Sequence, residues 1–296
     1  MKPQLPVTNA RASEAEAHEG LVIPATGTVA SPSGRRTSMP IAIDATAVVA
    51  PGARIGVGVR IGPYAIIGEN VVVGDRTVIG PHAVLDGWTE IGEESKIHAG
   101  AVIGNEPQDL KYDGARSWVR IGRRNVIREY ATVHRATEED GVTEIGDDNL
   151  IMAYVHVAHN CAVGSHVILA NAVNLAGHVR IDDHAIIGGM TPVHQFVRIG
   201  CHAFIGGGSR VAQDIPPFVR CAGNPLRVAG LNSVGLIRRG FRPEVVAELK
   251  RAYRLVYRSD LNVTQALARI EAELQPLPEI QTFVRFIETS ERGIAK

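Results

Sequence analysis

From Ile43 onward an aliphatic residue returns at every sixth position, through Val49, Ile55, Ile61, Ile67, Val73, Ile79, Leu85, Ile91, Ile97 and Ile103. The same register resumes at Ile121, Ile127 and Val133, and again from Ile145 through to Val211. Residues 41 to 214 form 29 hexads, and 26 of their third positions are aliphatic, so the phase is not accidental. A 3.6-residue helix cannot hold a period of six. A short strand followed by a corner can, provided successive coils stack so that each backbone finds partners in the next. The exceptions, Asp109, Ala115 and Glu139, fall in the segments 107–118 and 137–142, which read as loops inserted in whole hexads. Gly follows the aliphatic position in Ile55-Gly56, Ile61-Gly62, Val73-Gly74 and Ile79-Gly80, and the expectation is a corner with positive φ at those glycines.

After Asp214 the period stops, and Ile215-Pro216-Pro217 is expected to end the ladder. Three amphipathic helices follow: Val245, Leu249, Tyr253 and Val256 share one face, as do Val263, Leu267, Ile270 and Leu274, then Ile280, Phe283, Val284 and Ile287. Pro243 and Pro278 suit first helical turns. The expected organisation is a mainly β chain. An extension over 1–38 without a sustained period precedes a parallel β-helix over 39–217, and a helical domain occupies 218–296, with Met39 a candidate initiator.

Composition narrows the function. Thirty-one basic residues balance thirty-one acidic ones, which disfavours nucleic acid or an anionic membrane as a whole-chain partner. No integral membrane segment is expected, because no apolar run approaches about 18 residues. Cys161, Cys201 and Cys221 are an odd count without CxxC spacing, so neither a disulfide framework nor a thiolate metal site is expected. With no basic and apolar leader pattern at the N-terminus, a cytoplasmic location follows.

Three hexads per coil would stack residues 18 apart, about 4.8 Å from one another. The hexads 155–160, 173–178 and 191–196 then share a column holding His156, His159, His178 and His194, with Gly177 beside His159, Gln195 beside Gly177, and the 137–142 insertion overhanging as a lid. A second column, His166, His184 and His202, reads as stacked or interfacial imidazoles, with a metal site as the sharper alternative. Residues 215–258 carry nine Lys or Arg against two Glu, a local patch suited to a diphosphate and an acidic protein face, or simply a solvated helix surface.

The repeat resembles that of the hexapeptide-repeat acyltransferases, which implies a left-handed coil of three hexads per turn. The segments VHVAHN at 155–160, LAGH at 175–178, GGMTPVHQF at 188–196, NEPQDLKY at 105–112 and IRRGF at 237–241 further resemble the UDP-N-acetylglucosamine O-acyltransferase family. That resemblance implies transfer of a 3-hydroxyacyl group from acyl carrier protein to the sugar 3-hydroxyl, the first step of lipid A synthesis, by a homotrimer needing no cofactor or metal. It makes His159 the general base and the Gly177 N–H the oxyanion donor. Gln108, Asp109 and Lys111 would lie near the glucosamine and acyl groups, while His156, His178 and His194 would line the substrate channel. Asn232, Arg238 and Arg239, with Gln195, would hold the nucleotide, and Gly207 would set acyl length, its missing side chain leaving the slot open for a long chain. Two positions depart from the family pattern. Asn160 replaces an acidic partner of the base, and Asn160→Asp is expected to preserve or raise activity; Val234 replaces an acidic group near the nucleotide. Competing readings are a transferase using acetyl-CoA or an amine acceptor, a trimeric zinc carbonic anhydrase built on the His166 column, and a non-catalytic scaffold.

Overall fold

A computed structural model describes residues 41–296; the expectations for 1–38 and for Met39 lie outside the described residues. Two-residue strands alternate with corners and build three parallel sheets. The first face has eleven strands, beginning Ala42–Ile43, and the second and third have eight each, beginning Val48–Val49 and Arg54–Ile55. The chain passes from first to second to third face and round again. Partners normally lie 18 residues apart, as in Ala42↔Arg60. The separation grows to 30 at Val102↔Thr132 and to 24 at Thr132↔His156, so the two insertions take 12 and 6 residues out of the ladder without changing its phase.

The third-position side chains fill the prism: Ile67, Ile79, Leu85, Ile103, Ile127 and Leu169 are all at most 1% exposed. Each such aliphatic contributes about 1.5–3 kcal/mol by leaving water. In the first rung, Ile43 remains 46% exposed. First positions also point inward, and those entering the first face form a polar ladder. Thr77 Oγ1 accepts from Ser95 N, and Asn125 Oδ1 accepts from Asn149 N at 3.0 Å. The three cysteines are free, and burial pushes their thiols up to about 12, so they are inert packing groups.

The glycine expectation is corrected. Positive φ falls at the sixth hexad position, on Tyr64, His82, Asn160, His166 and His178 among others, and not at Gly56, Gly62, Gly74 or Gly80. Those glycines answer a different demand. A Cβ on Gly56 would lie 2.7 Å from the backbone N of Asp75, and one on Gly74 2.6 Å from that of Glu93, so neighbouring coils touch there backbone to backbone.

Pro216-Pro217 does not end the sheet. Ile215 bridges to Ile199, and beyond the prolines Val219–Gly223 pairs in parallel with Phe204–Ile205, then turns back as a hairpin with Leu226–Leu231. The prolines occupy a corner, where no ladder donor is lost, and the expected boundary at 217/218 falls in that corner, before the last strands of the first face. The helices follow as expected in α2 (Pro243–Tyr257), α3 (Val263–Glu273) and α4 (Pro278–Glu288), after an unanticipated short α1 (Ser233–Arg238). Helix α2 packs on the hairpin, α3 and α4.

Candidate active site

The second corner, where the chain leaves the second face, gathers the histidine column. His156, Asn174 and Pro192 are successive register partners, which fixes the hexads 155–160, 173–178 and 191–196 one above another. The imidazoles of His159 and His178 meet edge to face, with centroids 5.2 Å apart and planes at 88°. His178 in turn stacks on Phe196 at 4.6 Å.

His159 sits at the fifth hexad position, and both of its ring nitrogens have a defined neighbour. Nδ1–H donates to Asn160 Oδ1 at 2.9 Å. With Nδ1 as donor, Nε2 is left as the basic atom. Nε2 faces Gly177, where a Cβ would come within 2.6 Å of it. Gly177 does not have positive φ, so glycine is required here by the ring above and not by the backbone. Among the described residues its N–H makes no hydrogen bond and remains available.

Asn160 is held on every side. Its backbone N–H donates to Thr143 Oγ1 at 2.8 Å, Oδ1 also accepts from Thr137 Oγ1 at 3.1 Å, and Nδ2 donates to Glu138 at 2.7 and 2.8 Å. Thr137 and Glu138 belong to the 137–142 insertion, which lies against this corner where the sequence suggested a lid. The longer insertion springs from the same corner one coil earlier. Burial and the neighbouring His159 charge lower the pKa of His178, while Glu138 and Asp109 oppose that shift. In the longer loop, Asp109 Oδ1 accepts from Lys111 N at 2.9 Å, Gln108 and Lys111 are exposed, and Leu110 is 106% exposed at the tip.

Two residues that sequence reasoning passed over sit behind this cluster. His134, 7% exposed, meets His156 edge to face at 5.0 Å; its Nδ1 has no partner, and burial lowers its pKa to about 4. His156 Nδ1 pairs with Thr132 Oγ1 at 2.7 Å, and burial lowers its pKa as well. Arg135 is equally buried and ties the long loop down, donating to Gly104 O at 3.0 Å and to the Tyr112 hydroxyl at 2.8 Å.

His194 and Gln195 are exposed in the second-corner column, and Arg292 approaches His194 Nδ1 at 3.3 Å. Asn232, Val234, Arg238 and Arg239 line a groove of about 790 Å³ over the first face, with Phe204 and Arg220. Asn232 also caps α1, accepting from Gly235 N at 3.2 Å, and donates to His202 O at 3.0 Å. Gln195 is therefore separated from the other members of its expected set within one chain. Arg239 donates to His184 Nδ1, and burial first, then the Arg239 charge, lowers the pKa of that imidazole. His166, His184 and His202 stack in parallel at 4.7 and 4.6 Å, an arrangement that lays their rings face over face instead of aiming three nitrogens at one point. Gly207 lies at the first corner without positive φ, one coil from Gly189, whose carbonyl a Cβ would meet at 3.1 Å.

Comparison with known proteins agrees with this architecture along most of its length. Residues 52–87, 70–105 and 143–177 match the bacterial transferase hexapeptide repeat, and residues 214–295 match the family described as Udp N-acetylglucosamine O-acyltransferase, domain 2. The acyl-[acyl-carrier-protein]–UDP-N-acetylglucosamine O-acyltransferase of Rippkaea orientalis is 58% identical over 208 residues, 70% of this chain and 75% of that protein. Its counterpart from Synechocystis is 51% identical over 205 residues, 69% of this chain and 74% of that one. Among solved structures, the UDP-N-acetylglucosamine acyltransferase of Bacteroides fragilis superposes with a TM-score of 0.84 at 43% identity, covering 86% of this chain and 99% of that one. The Arabidopsis enzyme does so at 0.76 and 37% identity, covering 86% of this chain and 100% of its own. A left-handed β-helix with a helical C-terminal region, and sequence agreement spanning both parts, place this chain in the UDP-N-acetylglucosamine O-acyltransferase family.

Proposed function

We propose that this chain transfers a 3-hydroxyacyl group from acyl carrier protein to the 3-hydroxyl of UDP-N-acetylglucosamine, the first step of lipid A synthesis, with His159 as general base. The relatives named above carry the acyl-carrier-protein and UDP-sugar specificity in their names. The observation that carries the base assignment is the ring of His159, anchored at Nδ1 by Asn160 and presenting Nε2 beside the unpaired N–H of Gly177.

The chemistry follows from that pair. Nε2 accepts the proton of the sugar 3-hydroxyl as its oxygen attacks the thioester carbonyl, and the charge gathering on the carbonyl oxygen is met by the Gly177 N–H. Collapse of the tetrahedral intermediate breaks the carbon–sulfur bond, and the imidazolium returns its proton to the leaving thiolate. Lys111, Asp109 and Gln108 would contact the sugar and acyl groups from the long loop, and His156, His178 and His194 would line the channel. Arg238 and Arg239 supply the guanidinium pair that a diphosphate favours, with Asn232 beside them. Val234, 61% exposed in that groove, offers an apolar wall where an acid would otherwise contact the nucleoside.

We further propose a cytoplasmic homotrimer. Within one chain the base lies at the second corner, the arginine groove over the first face and Gly207 at the first corner, so one substrate reaching all three needs a neighbouring copy. The first corner also exposes Tyr64, Tyr130, Tyr154 and Met190 at 58, 56, 61 and 74%, an apolar line suited to burial between copies. Among the described residues no helix is long and apolar enough to cross a membrane.

His159→Ala is expected to lower kcat by about 10² or more while calorimetry shows UDP-sugar binding unchanged. Near wild-type turnover in that variant would overturn the base assignment. Light scattering should give three chains at micromolar concentration, and a folded monomer there would refute the assembly.

A further inference from the structure

We propose that Glu138 is a positioning residue for the transfer reaction, holding His159 in its base-competent tautomer through the side-chain amide of Asn160. The inference rests on the reading of His159 as the base. Its motivation is a polarity argument that runs from atom to atom. A carboxylate only accepts hydrogen bonds, so the Glu138 oxygens at 2.7 and 2.8 Å require the Asn160 Nδ2 end of the amide. That choice turns Oδ1 the other way, towards His159. Oδ1 also only accepts, so the ring nitrogen at 2.9 Å must carry the proton. Nδ1 is therefore N–H, and the lone pair is on Nε2, the atom beside Gly177.

Without an acceptor-only neighbour, an asparagine amide can turn over and offer N–H to Nδ1. The proton would then sit on Nε2, and the base would be disabled. Thr137 reinforces the chosen orientation through its backbone N–H, which donates to Asn160 Oδ1 at 3.3 Å, while the single proton of its hydroxyl lies between Glu138 at 2.9 Å and Asn160 Oδ1 at 3.1 Å. The carboxylate missing from position 160 is thus present one residue further out, supplied by the six-residue insertion. It serves the developing imidazolium at longer range.

This arrangement reverses the sequence-based expectation for Asn160→Asp. An aspartate at 160 would set its carboxylate against that of Glu138 at hydrogen-bond distance with no proton between them, and like charges so placed repel. The aspartate would be accommodated only if Glu138 were made neutral as well.

The test is a four-enzyme cycle of wild type, Glu138→Gln, Asn160→Asp and the double variant, with Glu138→Leu as a further arm. Turnover is measured with UDP-N-acetylglucosamine and 3-hydroxyacyl carrier protein, and calorimetry of UDP-sugar binding together with thermal melts confirms intact folding. Glu138→Leu and Asn160→Asp should each lower kcat about tenfold with KM for the sugar unchanged, and Glu138→Gln should lower it about threefold. The double variant should return to within about threefold of wild type, because the amide introduced by Glu138→Gln can donate to the carboxylate introduced by Asn160→Asp, which still accepts from Nδ1–H. Nitrogen-15 spectra of histidine-labelled protein should show His159 as the Nδ1–H tautomer in wild type and a mixture in Glu138→Leu.

Unchanged kcat in Glu138→Leu, full activity of Asn160→Asp alone, or a double variant no better than Asn160→Asp would each overturn the proposal. So would an unaltered tautomer in Glu138→Leu. The spectra report on Glu138 whatever the identity of the base, whereas an active His159→Ala would remove the base assignment, so the two readings fail separately.

Discussion

Gly177→Ala isolates the placement of the proposed base, His159, from every other feature of the site. The residue does not have positive φ, so alanine imposes no backbone strain, and it retains the N–H proposed to meet the oxyanion. What changes is steric. The new methyl carbon would lie 2.6 Å from His159 Nε2, well inside ordinary contact, so the ring must retreat by about 1 Å. A retreat of that size takes the 2.9 Å bond to Asn160 out of good hydrogen-bond geometry and moves Nε2 off the line of the attacking hydroxyl. One lost hydrogen bond costs about 1 kcal/mol of stability. A 1 Å displacement of a reacting group costs about a hundredfold in rate, equivalent to about 2.7 kcal/mol. Steady-state transfer assays should therefore show kcat reduced about a hundredfold in a protein whose melting temperature falls by only a few degrees. A Gly177→Ala enzyme within about threefold of wild-type kcat would refute both the crowding argument and the role of the ring it displaces.

Gly207→Met should shift donor preference from fourteen-carbon towards ten-carbon 3-hydroxyacyl chains. Four methylenes at about 0.8 kcal/mol each correspond to roughly a hundredfold in kcat/KM, and equal use of both donors by the unmodified protein would remove the open-slot reading. Acid should destabilise the fold through its buried imidazoles. Burial lowers His134 and His202 to about 4, so between the usual histidine range near 6.5 and that value the unfolded chain binds more protons. Stability is then fully present above about pH 6.5 and lost as pH falls towards 4, by on the order of 2 kcal/mol for each histidine. His134→Gln should flatten the dependence of melting temperature on pH, and an unchanged slope would show that His134 is not buried in the neutral form.

The core was legible because its rule is strict. A third-position aliphatic every six residues admits no other periodic structure, and the phase survived both insertions because each removes whole hexads from the ladder. Local backbone chemistry was less legible. Gly56 and Gly74 advertise a corner, yet glycine as a residue type does not distinguish positive φ from close approach of two coils, and here it is the second. Pro216-Pro217 misled for a related reason, since a proline breaks a strand but not a corner, and the corner lies where the sequence alone gives no register. His134 carried little signal: it occupies the fourth hexad position, which is glycine at 56, 62, 74, 80, 122 and 146 but also holds His98, Arg128 and His194. Glu138 carried none. It lies in an insertion with no period, and only the folded loop brings it to Asn160.

The same coil builds a stacked ladder and the proposed base from one residue type, and the difference is a single step in the hexad. Sixth-position residues such as His166, His178, His184 and His202 have positive φ, and their rings stack on the next coil. The third corner shows the pattern in ion pairs, Arg76 with Glu94 and Arg124 with Asp148, and then in the parallel rings of His166, His184 and His202. A ring stacked on both faces is fixed by its neighbours and has little freedom to approach a substrate. His178 is a sixth-position ring of this kind, lying on Phe196. His159 is one position earlier, so it stands on edge to His178 at 88° instead of joining the stack. On edge, it turns Nδ1 to Asn160 and its Cε1–Nε2 edge to the glycine of the next coil. The proposed base is therefore a histidine displaced from the ladder, and the smallness of Gly177 is what leaves it room.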